Sequence, residues 1–117
     1  MAAFRVLLAA MWIALVAYTA LVIGRDGLDI MPIFFGAIAD GHWPGQFNAD
    51  FTTFLVLSGV WTAWRGGFSG GALLLGLVAF FMGGGFLLAY LLWLSFRHHG
   101  DPARILLGVH ADKARPR

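Results

Sequence analysis

Ile30-Met31-Pro32-Ile33-Phe34-Phe35-Gly36-Ala37-Ile38-Ala39, bounded by Asp29 and Asp40, is the stretch whose reading decides how this chain is laid out. Ten apolar residues are too few for a helical crossing of a bilayer, which takes about 20. Asp29 ahead of the run and Pro32 near its start predict a short capped helix. We expect it to be interfacial or re-entrant, lying against a bundle. If it crossed, the chain would have four spans and its amino terminus would change sides. Asp40-Gly41-His42-Trp43-Pro44-Gly45 follows as turn chemistry, with a tryptophan suited to the headgroup region.

On the amino-terminal side lies Val6 to Gly24, nineteen residues without a charge, preceded by Arg5 and ended by Arg25-Asp26-Gly27. A signal peptide has a similar layout, but the run is long for one, and Tyr18 would occupy the −3 position before Ala20. The length predicts a first span over 6–24.

On the carboxy-terminal side a second span is expected over 47–64, its start capped by Asn48 or Asp50 and its end marked by Trp61-Thr62-Ala63-Trp64-Arg65. After the glycine-rich link 66–71 comes a third, over 72–96. Its length forces it to tilt, bend or protrude, and Gly83-Gly84-Gly85 sits near its middle. Asp101-Pro102 predicts a short amphipathic helix, with Ile105, Leu106 and Val109 on one side, and then a frayed basic tail. The expected fold class is therefore an all-α integral membrane protein. It has three transmembrane helices and an interfacial helix within residues 1–100, with an amphipathic helix and tail over 101–117.

Composition agrees with lipid as the solvent. Of 117 residues, 60% are hydrophobic and 12% charged, against roughly 25% charged in soluble domains. A chain this short has too little interior to hide that much apolar surface. A net charge of +2 gives no ground for nucleic-acid binding, and with no cysteine there is no disulfide or thiolate chemistry.

With three spans the termini fall on opposite sides. The 25–47 loop and the tail carry Arg25, Arg97, Arg104, Lys113, Arg115 and Arg117, against Arg5 and Arg65 on the other side. Positive-inside counting then puts the carboxy terminus in the cytoplasm and the amino terminus outside.

Helical spacing gives each span a face. Asn48, Thr52, Ser58, Gly59, Thr62 and Ala63 share one side of the second span. Ala72, Gly76, Ala79, Gly83 and Tyr90 form a stripe on the third, and Ala10, Ala14 and Ala17 line up on the first. Small residues and hydroxyls drive helix association in lipid, so these stripes are expected to pack together. Gly84 and Gly85 point elsewhere. Together with Trp61 and Trp64 they are candidate contacts for a partner helix or a pigment.

The densest polar cluster is His42, Gln46, Asn48 and Asp50, the candidate ligand site. Asp50 lies in the first turn of its span, where the helix dipole favours an acid, rather than at mid-membrane where a proton path would need it. No histidine lies within a span, so nothing supports axial haem ligation, and no metal set is apparent. His98 and His99 are adjacent, and adjacent helical residues do not face a common ion. The sequence has no metalloprotease, phosphate-loop or nucleophile-elbow motif, which leaves no catalytic residue to name. Lipid, carotenoid or quinone are the ligands such a surface could hold.

The stretch Gly41-His42-Trp43-Pro44-Gly45-Gln46-Phe47-Asn48-Ala49-Asp50-Phe51, followed by Val60-Trp61-Thr62-Ala63-Trp64-Arg65, resembles small bacterial inner-membrane proteins grouped as domains of unknown function. The resemblance implies a multi-pass protein of the bacterial inner (cytoplasmic) membrane and brings no activity. The expected role is a non-enzymatic accessory subunit of a larger membrane complex of respiratory or photosynthetic type, with lipids and other subunits as partners. The alternative is a binder or enzyme for an apolar small molecule, an isoprenoid, quinone or carotenoid, at the Gln46/Asn48/Asp50 cluster.

Overall fold

A computed structural model describes residues 1–114, and its regular elements are all helical. They are α1 (Ala2–Asp26), α2 (Met31–Asp40), α3 (Trp43–Arg65), α4 (Gly70–Met82), α5 (Gly84–Arg97), α6 (Pro102–Leu107) and α7 (Ala111–Ala114), with a 3-10 turn at Gly108–His110. Among them α1 alone is both long and apolar enough to cross a membrane. α3 has the length, but its first turns carry Gln46, Asn48 and Asp50.

Local chemistry sets the boundaries. Pro32 and Pro44 occupy the first turns of α2 and α3, where a missing N–H is harmless. The helix of α3 thus begins at Trp43. Asn48 and Asp50 lie inside it, and the caps expected from them do not form. Asp29 does not cap α2 either, because the helix starts after Ile30. The Ser69 hydroxyl accepts from the Ala72 amide at the start of α4, and the Asp101 carboxylate from the Ala103 amide at the start of α6.

The segment expected as one span over 72–96 is instead two helices that fold back on each other. Gly83 has φ 58 and ψ −132, a conformation closed to L side chains, and it ends one helix and begins the next. The contacts fix the direction of each arm. Gly76 lies against Gly59, and Gly83 against Phe51 and Leu55, so α4 runs antiparallel to α3. Arg65, at the end of α3, bonds to His98, at the end of α5, so α5 returns alongside α3. At about 1.5 Å per residue each arm is roughly 20 Å long.

Within this turn the Gly83 amide donates to the Ala79 carbonyl, and the Gly83 carbonyl accepts from the Leu87 amide. A Cβ on residue 83 would sit 2.9 Å from Phe51 Cζ and 3.2 Å from Leu55 Cδ2. Gly83→Ala is therefore expected to cost about 1–3 kcal/mol from backbone strain alone. Gly85→Ala, which meets open space, should change little. Thermal melting of the two variants in one detergent checks the contrast.

α1 packs on α5, antiparallel to it. Arg5 reaches Ser95, Trp12 donates to the Gly85 carbonyl at 3.0 Å, and Leu15 lies against Gly84. Positions 5, 8, 12 and 15 recur at helical spacing, and Leu8 is the one buried side chain of α1. The alanine stripe of α1 does not pack: Ala10, Ala14 and Ala17 are all exposed. The larger residues on a neighbouring face reach α5 and leave the alanines outward. On α3 and α4, Gly59, Thr62, Ala63, Ala72, Gly76 and Ala79 lie at or near the helix–helix seam, while Thr52 and Ser58 are half-buried.

One end of the molecule therefore gathers Met1, the ends of α3 and α5, and the segment after Gly100. Met1 packs against Gly100 itself. The two termini were expected on opposite sides; the return of α5 brings residues 1 and 100 together. This end carries Arg5, Arg65, Arg97, Arg104 and Lys113 against Asp101 and Asp112. The far end carries Asp26, Asp29, Asp40 and Asp50 against Arg25. The far end is completed by α2, packed on the start of α3 where Gly45 meets the Ala37 backbone.

Candidate functional site

Arg65 is the one charged side chain buried among the described residues, 8% exposed. It ends α3, where a cation suits the helix dipole. Its Nε donates to the Ile105 carbonyl at 2.6 Å and its Nη2 to the Arg104 carbonyl at 2.9 Å. Nη1 donates to the Tyr90 hydroxyl at 3.3 Å, and Nη2 lies 3.0 Å from His98 Nε2. Four neutral acceptors surround the guanidinium, and no carboxylate among the described residues lies within ion-pair distance.

The fold delivers each acceptor separately. Tyr90 and His98 come with the returning arm of the hairpin. The two carbonyls come from α6, which stops at Leu107 because Gly108 turns left-handed at φ 58. The Arg65 backbone abuts Gly108 and leaves no room for a Cβ there. The amphipathic helix expected after Asp101 is therefore short. Ile105 and Ala111 face inward, while Leu106 and Val109 are exposed. Arg115 and Arg117 of the expected basic tail lie outside the described residues.

Arginine only donates, so His98 Nε2 must carry its lone pair, which makes the ring neutral with its proton on Nδ1. The His98 pKa is lowered from the ordinary 6.5, chiefly by burial, then by the positive charges of Arg65, Arg97 and Arg104, with Asp101 opposing. A histidine whose folded pKa is depressed contributes stability above its unfolded pKa and loses it as pH falls through the folded value. Acidification from pH 7.5 to 5 is thus expected to loosen α6 from Arg65, seen as faster amide exchange over residues 98–107. His98→Gln, which keeps an acceptor but does not titrate, should flatten that dependence. A protection that rises on acidification would contradict the assignment.

Beside this centre is a cleft of about 320 Å³, with α3 as its floor and α4 and α5 as its walls. Ala72, Leu75 and Leu94 line it. Arg65, Arg97 and His98 lie toward the basic end, with Ser69 and Gly71 from the start of α4. Arg97 is exposed and stacks over Trp93 at 5.5 Å. A second, almost wholly apolar groove of about 400 Å³ runs over the α3/α4 seam.

The residues singled out from sequence fare differently. The Asn48 amide donates to the Phe34 carbonyl at 3.2 Å and fastens α2 to α3. His42, Gln46 and Asp50 are exposed, and neither cleft includes any of the four. Trp61 and Trp64 each have a partner within the chain. Trp61 donates to the Leu106 carbonyl at 2.9 Å, and Trp64 stacks on His110 with ring centroids 4.2 Å apart. Gly84 faces α1 rather than an outside helix, whereas Gly85 opens onto free space. Among the described residues no three metal-ligating side chains converge.

Sequence reasoning read Arg65 as an interfacial anchor and gave Tyr90 only a place in a small-residue stripe. A lone arginine ending one apolar helix, with a tyrosine inside the next apolar run, was the available sign of this centre. No family model, curated protein or solved structure matches the chain.

Proposed function

We propose that the chain is a membrane-embedded, non-enzymatic accessory subunit. In this reading α1 and α3 cross the bilayer, α4 and α5 dip into it as a re-entrant hairpin, and the outer apolar faces meet lipid and the helices of a larger assembly. The observation that carries the reading is α1: 25 residues long, with only 6% of its most apolar stretch buried. A removable leader has the same composition, but this helix is built into the fold. Arg5 bonds to the buried Ser95 through Nε (3.0 Å) and Nη2 (2.7 Å), and its guanidinium lies 4.1 Å from the Phe96 ring centre.

The hairpin suits a hydrocarbon core of about 30 Å, since arms of roughly 20 Å enter without crossing. Its non-helical residue is tolerable there because Gly83 is buried and both its backbone groups are bonded. Excess basic charge at the end shared by Met1, Arg65, Arg97 and α6 favours placing that end in the cytoplasm. The groove over the α3/α4 seam has Gly59 and Gly76 at its floor and Val56, Val60, Leu73 and Leu77 at its rims, a shape suited to a further helix.

Alkaline carbonate extraction followed by purification in mild detergent tests both parts. The protein should stay in the membrane pellet and co-purify with other integral membrane chains in fixed ratio. Release by carbonate contradicts the membrane reading, and a protein that remains membranous yet always runs alone contradicts the subunit reading.

A further inference from the structure

We infer that the cleft between α4 and α5 is a site for one anionic phospholipid, its phosphate at Arg97 and His98 and its acyl chain between the helices. The inference rests on the membrane reading above. The cleft, about 320 Å³, lies within the range of about 300–1,000 Å³ usual for small-ligand sites. Its composition is divided as an amphiphile is divided. Ala72, Leu75 and Leu94 give an apolar channel, and Arg65, Arg97, His98 and the Ser69 hydroxyl gather at one end.

Among the described residues neither arginine of the cleft has a carboxylate within ion-pair distance. Arg65 is more than nine-tenths buried with neutral acceptors only, and Arg97 forms no ion pair among the described residues. The described carboxylates of this region, Asp101 and Asp112, lie 3.7 and 3.6 Å from Arg104. Two cations without carboxylate partners among the described residues, at the mouth of an apolar channel, create a local demand for an anion. Arginine meets phosphate with paired charge-assisted hydrogen bonds. Basic pockets between membrane helices on the cytoplasmic side recognise anionic headgroups for this reason. The start of α4 adds to the field. The Ser69 hydroxyl and carbonyl bind the Ala72 and Leu73 amides, and the positive end of a 13-residue helix points at the same mouth. Trp93, exposed and stacked under Arg97, sits where a tryptophan meets headgroups.

The roles divide accordingly. Arg65 is tied by its own hydrogen bonds and supplies a fixed field. Arg97 is free to move onto the phosphate. His98, held neutral by Arg65, offers its Nδ1–H as a further donor.

The full-length protein in detergent would be given phosphatidylglycerol, phosphatidylcholine or inorganic phosphate, and read by native mass spectrometry and thermal melting. The expected result is one retained phosphatidylglycerol per chain and a raised melting temperature, neither reproduced by phosphatidylcholine or inorganic phosphate. Arg97→Gln should weaken phosphatidylglycerol retention roughly tenfold, the loss of one charge-assisted contact. Leu75→Trp should block retention by filling the channel, and melting in phosphatidylcholine controls for the folding of both variants. Equal retention of the two lipids, stabilisation by inorganic phosphate alone, or unchanged retention in Arg97→Gln each overturns the inference. Carbonate extraction of the same preparation separates the two readings. A carbonate-resistant protein without lipid selectivity refutes the lipid site alone, and a carbonate-released one refutes both.

Discussion

Arg65→Ala should release the segment after Gly100 from the bundle. The substitution leaves the buried Ile105 carbonyl without its Arg65 donor, leaves the Arg104 carbonyl only the Gly108 amide, and strips Tyr90 and His98 of their common partner. An unsatisfied buried carbonyl costs about 1–3 kcal/mol and the lost bonds to Arg104, Tyr90 and His98 add to it, so a loss of roughly 3 kcal/mol is expected. The loss should be local. α6 is attached to the rest chiefly through Arg65 and the Trp61–Leu106 and Trp64–His110 contacts, whereas the α3/α4 seam does not depend on it. Cleavage by trypsin after Arg104 should accelerate strongly while the remainder of the bundle keeps its helicity. Arg65→Lys retains the charge but not the planar fork, and should fall between the two. Unchanged cleavage in Arg65→Ala would mean that this centre does not hold the segment.

Gly76→Leu should have a larger and more general effect. A Cβ at residue 76 would stand 2.7 Å from the Gly59 carbonyl oxygen, and one at residue 59 would stand 2.9 Å from the Gly76 carbonyl. The two backbones therefore touch directly, and the obstacle is main chain, which cannot rotate away. Even Gly76→Ala should cost about 1–3 kcal/mol, the usual range for overpacking. Leucine adds three more carbons at the same point and should separate α3 from α4. Loss of that seam also withdraws Phe51 and Leu55 from Gly83, so the hairpin turn should fail with it. Gly24→Ala, in α1 with open space around it, serves as the control and should be neutral or slightly stabilising. Helicity and melting in detergent distinguish the variants, and a Gly76→Leu protein that melts like the control would contradict the close crossing.

The helices themselves were legible in the sequence because their determinants are local. Pro32 and Asp101 mark helix starts as read, whereas Pro44 and Ser69, read as turn and link residues, also stand at helix starts, and Gly83 and Gly108 stand at helix ends. The small residues of α3 and α4 were legible for the same reason: Gly59 and Gly76 announce a close approach through period alone.

The direction of α5 was not legible. A glycine triplet in an apolar run fits a bend or a full reversal equally well, and Gly83 becomes a turn only through a backbone conformation that one-dimensional periodicity does not encode. That single residue decides which end receives Tyr90 and His98, and so whether Arg65 has partners. The polar cluster at His42, Gln46, Asn48 and Asp50 shows the same gap between sequence and space. Density along the chain does not set which way each side chain faces: Asn48 is tied to α2 through the Phe34 carbonyl, while His42, just ahead of α3, and Gln46 and Asp50 within it are exposed.

The hairpin is the central claim, and the absence of native cysteine makes it directly testable. Single cysteines at Gly70, Lys113 and Asp40, all exposed, report three points of the fold. They would be labelled with a membrane-impermeant maleimide in intact cells and in inverted vesicles. A returning α5 predicts that Gly70→Cys and Lys113→Cys label from the same side, the cytoplasmic one, and Asp40→Cys from the other. Labelling of Gly70→Cys and Lys113→Cys from opposite sides would mean that residues 70–97 cross the membrane as one helix, and would contradict the account.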